Sequence, residues 1–297
     1  MSLSLRASRL LVLAIFVTLA VVDTRKGTAA TLVPVTNSEA TVCLGSPSPG
    51  CSIANVGQSV NSGLAQINNT YGSVADHALF TVASAADATF GVLKASANGS
   101  YDISGSPITA YTSGRAGFID VITISYAPWD GLPGLLNIAY TLNGTISSGG
   151  NGNAVAFVYT FVGPTLGQSY SQRYTSSTSG TFSEPNAFQF VYGQPFGLQF
   201  GILAFAGTFL IPDQTGQGSG SAQFFNTLVL TGLTPTDLNG SQALGAQFSS
   251  VSGTQYSTNG VVPEPTTTVL FLMGITALIA KHRSRFRSRG TSDDTAP

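Results

Sequence analysis

Few residues between positions 31 and 262 are of a kind that does chemistry. His77 is the single histidine there, in Val74-Ala75-Asp76-His77-Ala78-Leu79, and reads as a structural residue. With one imidazole, no Gly-x-Ser-x-Gly elbow and no histidine cluster, a serine or cysteine triad and zinc hydrolysis have little support. Glycoside cleavage needs only two carboxylates, for which Asp120, Asp130, Glu184 and Asp213 are the candidates. Asp130-Gly131 and Pro212-Asp213 are equally turn dipeptides. Asp237-Leu238-Asn239-Gly240 has the outline of a calcium loop, yet the acidic ligands that should follow are missing, so it reads as a turn. Trp129, the only tryptophan, stands in Ala-Pro-Trp-Asp-Gly. It is the candidate glycan contact by ring stacking, the commoner role of such a residue being to plug the end of a core. No metal site, no cofactor and no catalytic residue is expected.

These side chains need a scaffold, and the composition suggests which. Residues 31–262 carry nine acids and three bases, a net charge of −6, and about 5% charged residues, against roughly 25% in an average soluble domain. Apolar residues are plentiful, which argues against disorder. There is no basic patch for nucleic acid. Alternation with a period of two marks strands: Leu136, Ile138, Tyr140 and Leu142; Val155, Phe157, Tyr159 and Phe161; Phe188, Phe190 and Tyr192; Leu198, Phe200 and Ile202. Ala88–Ser96, Gly117–Tyr126 and Ala222–Thr231 are further candidates. Asn98-Gly99, Asn143-Gly144, Gly149-Gly150, Asn239-Gly240 and Asn259-Gly260 read as tight turns, and Ser176–Ser179 and Thr215–Gly220 as loop tips. Short strands, glycine-rich turns and no helical period predict one all-β domain, an antiparallel β-sandwich of jelly-roll-like kind.

Both ends of the sequence carry transport signals. Arg6 and Arg9 precede an apolar run, Leu10–Val22, and then the small residues Thr28, Ala29 and Ala30. This is the order of a secretory signal peptide, with cleavage expected after Ala29 or Ala30. Export would place Cys43 and Cys51 in an oxidising compartment, where a disulfide closing a small surface loop is expected. Near the other end, Pro263-Glu264-Pro265 forms a stiff extended segment. An uncharged apolar stretch, residues 266–280, follows it, and then the basic cluster Lys281, Arg283, Arg285, Arg287 and Arg289. The basic residues favour the cytoplasmic side. Fifteen residues rise about 22 Å as a helix, short of the roughly 30 Å hydrocarbon core.

This order resembles the PEP-CTERM sorting signal of Gram-negative bacteria. The resemblance covers about 35 residues, from Val261 to Pro297; the basic cluster is looser than the family's, and Thr291–Pro297 extends beyond it. It implies that a membrane-embedded exosortase acts at Pro263, Glu264 and Pro265 while the apolar helix holds the precursor transiently in the membrane. The expected organisation is thus a signal peptide (1–30), a β-sandwich ectodomain (31–258) and a sorting tail (259–297), with a transmembrane helix at 266–280 and a basic anchor at 281–289. The chain reads as a non-enzymatic exported protein of the cell surface or extracellular matrix, associated with exopolysaccharide. The alternative is a secreted glycan-binding or glycan-cleaving protein that uses a carboxylate pair.

Overall fold

A computed structural model of the chain describes residues 33–45, 56–60, 63–73, 78–164, 166–208, 214–258 and 260–262. The apolar run Leu10–Val22, Pro263-Glu264-Pro265, the 266–280 stretch, the basic residues from Lys281 to Arg289, Cys51, His77 and Asp213 lie outside them. Of the two units into which the chain divides, Met1–Val261 holds all but the last described residue.

The described residues are all-β, with no helix among them. The strands are β1 Val35–Gly45, β2 Val56–Val60, β3 Gly63–Ser73, β4 Ala78–Thr89, β5 Val92–Ser125, β6 Pro133–Gly150, β7 Asn153–Gly163, β8 Gln168–Tyr174, β9 Thr178–Ser183, β10 Phe188–Val191, β11 Pro195–Gly207, β12 Gln214–Thr236, β13 Gln247–Ser250, β14 Gln255–Ser257 and β15 Gly260–Val262. Thirteen of them, β1 to β13, pair antiparallel into two sheets that share β5, an arrangement consistent with a β-sandwich, and β14 pairs with β15 apart from these. One sheet runs β2-β1-β5-β11-β7-β8, with β13 continuing the β1 side. The other runs β3-β4-β5-β12-β6, with β9 and β10 on the far side of β6.

The strand β5 is 34 residues long and would span roughly 110 Å if straight. Its first part pairs with β4 as far as Ile103 and its last part with β1 from Thr109 onward. Gly105 and Pro107 fall in the gap between those ladders. Proline has no N–H to donate and glycine tolerates the bend, so the chain changes sheet there.

The main core lies between the sheets. Leu136, Ile138, Tyr140 and Leu142 of β6 face Ala156, Val158 and Val162 of β7 and Leu198, Phe200 and Ile202 of β11 in one buried cluster. Each fully buried large apolar side chain contributes about 1.5–3 kcal/mol. A second cluster joins Ala40 and Val42 of β1 to Ala65, Ile67, Phe80 and Val82 of β3 and β4, around the bend in β5.

Several local expectations change. The alternation in β7 marks its outward face: Val155, Phe157 and Tyr159 form a separate buried cluster with Leu203 and Phe205, and the small residues of β7 face the main core. Ala88–Ser96 spans a hairpin rather than one strand, since β4 ends at Thr89 and β5 begins at Val92. Asn98-Gly99 and Asn143-Gly144 lie inside strands, and so does Thr215–Gly220. Glycine is needed at 144 for space: a Cβ there would meet the Phe224 ring at 2.2 Å. By contrast Gly149-Gly150 and Asn239-Gly240 do turn the chain.

Candidate functional site

Three of the four carboxylate candidates fall among the described residues, and each belongs to a different hydrogen-bond system. Asp130 stands in the exposed turn after β5 and its Oδ1 accepts the Tyr126 N–H at 2.9 Å. Gly131 follows with φ 84°, a left-handed conformation suited to glycine. This is the turn that Asp-Gly foretells.

Asp120 projects from the inner face of β5 and is fully buried. Its Oδ1 accepts the Val121 N–H at 2.8 Å and the Ser252 N–H at 3.2 Å. Its Oδ2 accepts the Ser252 hydroxyl at 2.5 Å and the Tyr256 hydroxyl at 2.9 Å. Four donors satisfy the carboxylate, which pins the segment after β13 to the last part of β5. Burial, and then the neighbouring Asp120 charge, drive the Tyr256 phenol upward, so it remains a donor.

Glu184 follows β9 directly and is 5% exposed. The Thr160 hydroxyl donates to its Oε1 at 2.8 Å, while Oε2 is buried and has no partner. Desolvation pushes the carboxyl up to about 7, with the Thr160 hydrogen bond acting in the opposite direction. Around it stand Tyr140 of β6 and Tyr174 of β8, whose hydroxyls share a hydrogen bond of 2.8 Å. Phe182 of β9 stacks on Tyr140 at 5.8 Å between ring centroids. Burial raises both phenols, and the Glu184 charge adds to it. No pattern in the sequence marks Glu184 as buried. The one available hint is an acid between a strand and a proline, which fits an exposed loop equally well.

Trp129 is half-buried at the end of the sandwich, packed against the main core. It meets Tyr126 edge-on at 4.9 Å and Tyr192 at 5.5 Å. The turn holding it is closed by Trp129 N–H to Tyr126 O and Leu132 N–H to Trp129 O. Tyr192 is fully buried with an unpartnered hydroxyl, and burial, Asp237 and Tyr126 push its phenol up to about 12. Leu132 and Val191 are exposed beside this aromatic group. Trp129 therefore caps the core and leaves part of its ring at the surface.

Asp237 makes a turn: its Oδ1 accepts the N–H groups of Asn239 and Ser241, both at 2.8 Å. The Ser241 backbone hydrogen bond is the main reason its carboxyl is held low. Cys43 is disulfide-bonded and buried, opposite Tyr111 in the β1–β5 ladder; Cys51, the other cysteine of the chain, is outside the described residues. Among the described residues no group of three or more His, Cys, Asp or Glu is placed to hold a metal ion, and no helix is long and apolar enough to cross a membrane. The 266–280 stretch is not among them. No protein-family profile matches the chain, and no curated protein or solved structure matches it.

Proposed function

We propose that the chain is a non-enzymatic exported protein of the cell surface or extracellular matrix, sorted by an exosortase and associated with exopolysaccharide. The carrying observation is the order Pro263-Glu264-Pro265, uncharged apolar stretch, basic cluster, with an apolar run behind two arginines at the other end. In this reading a signal helix precedes the ectodomain and a short transmembrane helix follows it. The described domain suits such a role. Asp120, Asp130 and Glu184 each serve a local structural purpose, and sparse charge leaves a surface of hydroxyls and amides, a chemistry compatible with polysaccharide.

The test is Glu264→Ala in the native host. The wild-type chain loses its tail and leaves the inner membrane, whereas the variant is exported, folds and stays in the membrane with its tail attached. Equal processing of the two proteins contradicts the proposal.

One observation favours a glycan-binding variant of the reading: the half-exposed Trp129 stands beside Tyr126. Trp129→Phe keeps an aromatic cap on the core but reduces the stacking surface. Co-sedimentation with purified exopolysaccharide reads the difference, and equal retention of both proteins argues against a contact there.

A further inference from the structure

β8 closes one sheet while β9 and β10 close the other, and side chains join these neighbouring edges, among them Tyr174 of β8 and Phe182 of β9. The Gln168 side chain takes the place of a strand neighbour: its Nε2 donates to Gln189 O and its Oε1 accepts the Gln189 N–H, both at 2.7 Å. The other anchor is Glu184. Ser183, Pro185 and Asn186 on either side of it are exposed, so between the β9 ladder on β6 and the buried Phe188 its carboxyl is the side chain that turns inward. Beyond its side chain, only the Glu184 N–H to Ile138 O bond of 2.9 Å ties that residue down.

The groups facing this carboxyl are Tyr140 from β6, Thr160 from β7, and Tyr170 and Tyr174 from β8. None carries positive charge. Among the described residues no lysine, arginine or histidine pairs with it, the one ion pair being Lys94–Asp87. A neutral carboxyl tolerates this site. An anion there has one donor for two oxygens and a desolvation cost that solvent, one residue away, would remove.

We propose that Glu184 is a proton-operated latch on this edge: neutral, it lies buried and holds β9 and the connection after it against Thr160 of β7, and its ionisation releases Thr178–Ala187 toward solvent. The latch responds to the pH outside the sandwich and stands independently of the sorting reading.

Hydrogen exchange of the full chain in neutral detergent, followed by mass spectrometry and corrected for the intrinsic pH dependence, tests the latch. Protection of Thr178–Ala187 should fall about tenfold or more between roughly pH 5.5 and 8.5, while β11 stays unchanged. Glu184→Gln should abolish the fall. Thr160→Val removes the donor that favours the anion and should move the midpoint to higher pH, a shift that loss of packing alone does not produce. A flat wild-type profile, an equal fall in Glu184→Gln, or a fall spread evenly over all strands overturns the proposal. Should Glu184→Gln not fold, an unchanged midpoint in Thr160→Val overturns it.

Discussion

Asp120 and Glu184 are the same chemical group, buried in the same domain, with opposite provision of donors. Asp120 receives four hydrogen bonds, two of them from backbone N–H groups. Glu184 receives one, and its second oxygen is orphaned. A buried carboxylate that is fully supplied with donors acts as a clamp. One that is half supplied holds its proton into the neutral range and so couples the local structure to pH. The difference lies in the neighbours: Ser252, Tyr256 and two main-chain amides on one side, a ring of phenols on the other.

The comparison breaks most readily at Asp120. Asp120→Ala strands the buried Tyr256 hydroxyl and removes the acceptor of the Ser252 N–H and hydroxyl, and should destabilise the domain by about 3 kcal/mol, read from the urea midpoint. A loss under about 1 kcal/mol would mean that the clamp is replaceable by water.

Next comes pH. The Glu184 carboxyl is raised to about 7 in the folded chain from an ordinary value of 4.5. Between those values the native state binds more protons than the unfolded state. The contribution is therefore fully present below about pH 4.5 and is lost as pH rises through about 7, a change of up to about 3 kcal/mol. Urea melts at several pH values should show this slope in the wild type and not in Glu184→Gln.

Two smaller effects sharpen the contrast between packed and exposed sites. A Cβ at Gly201 would lie 2.0 Å from the Tyr159 ring, whose hydroxyl accepts from Arg115 at 3.1 Å. Gly201→Ala should cost about 1–3 kcal/mol by overpacking, measured by thermal melting. Lys94 meets Asp87 at 3.3 Å with both side chains partly exposed, and Lys94→Met should change stability by less than about 1 kcal/mol.

Strand content and much of the core are legible from the sequence, because alternation in β6 and β10 reports one buried face directly and in β11 Leu198, Phe200 and Ile202 mark the core-facing side. It fails in β7, where both faces are buried and the larger side chains point away from the inter-sheet core, so size misleads about direction. Asn98-Gly99 and Asn143-Gly144 mislead for another reason: glycine that makes a turn and glycine that makes room for a ring look alike until the ring is placed. The long β5 is invisible to local patterns, since a strand that changes sheet has two different partners and no pause in its alternation.

The two carboxylate environments were equally hidden. Asp120 is satisfied by residues more than 130 positions away, and no spacing rule joins them. The proposed transport signals, conversely, depend only on local order of charge and apolarity, and the functional reading rests on them, with the β-domain as the proposed cargo.

The intact mass of the protein recovered from the exported fraction of its native host tests that reading most directly. The account predicts a chain that begins near residue 31 and lacks the apolar stretch 266–280 and the basic residues Lys281 to Arg289, so that it is lighter than the 30.5 kDa of the full sequence. Recovery of a chain that still carries Lys281 to Arg289 would contradict it.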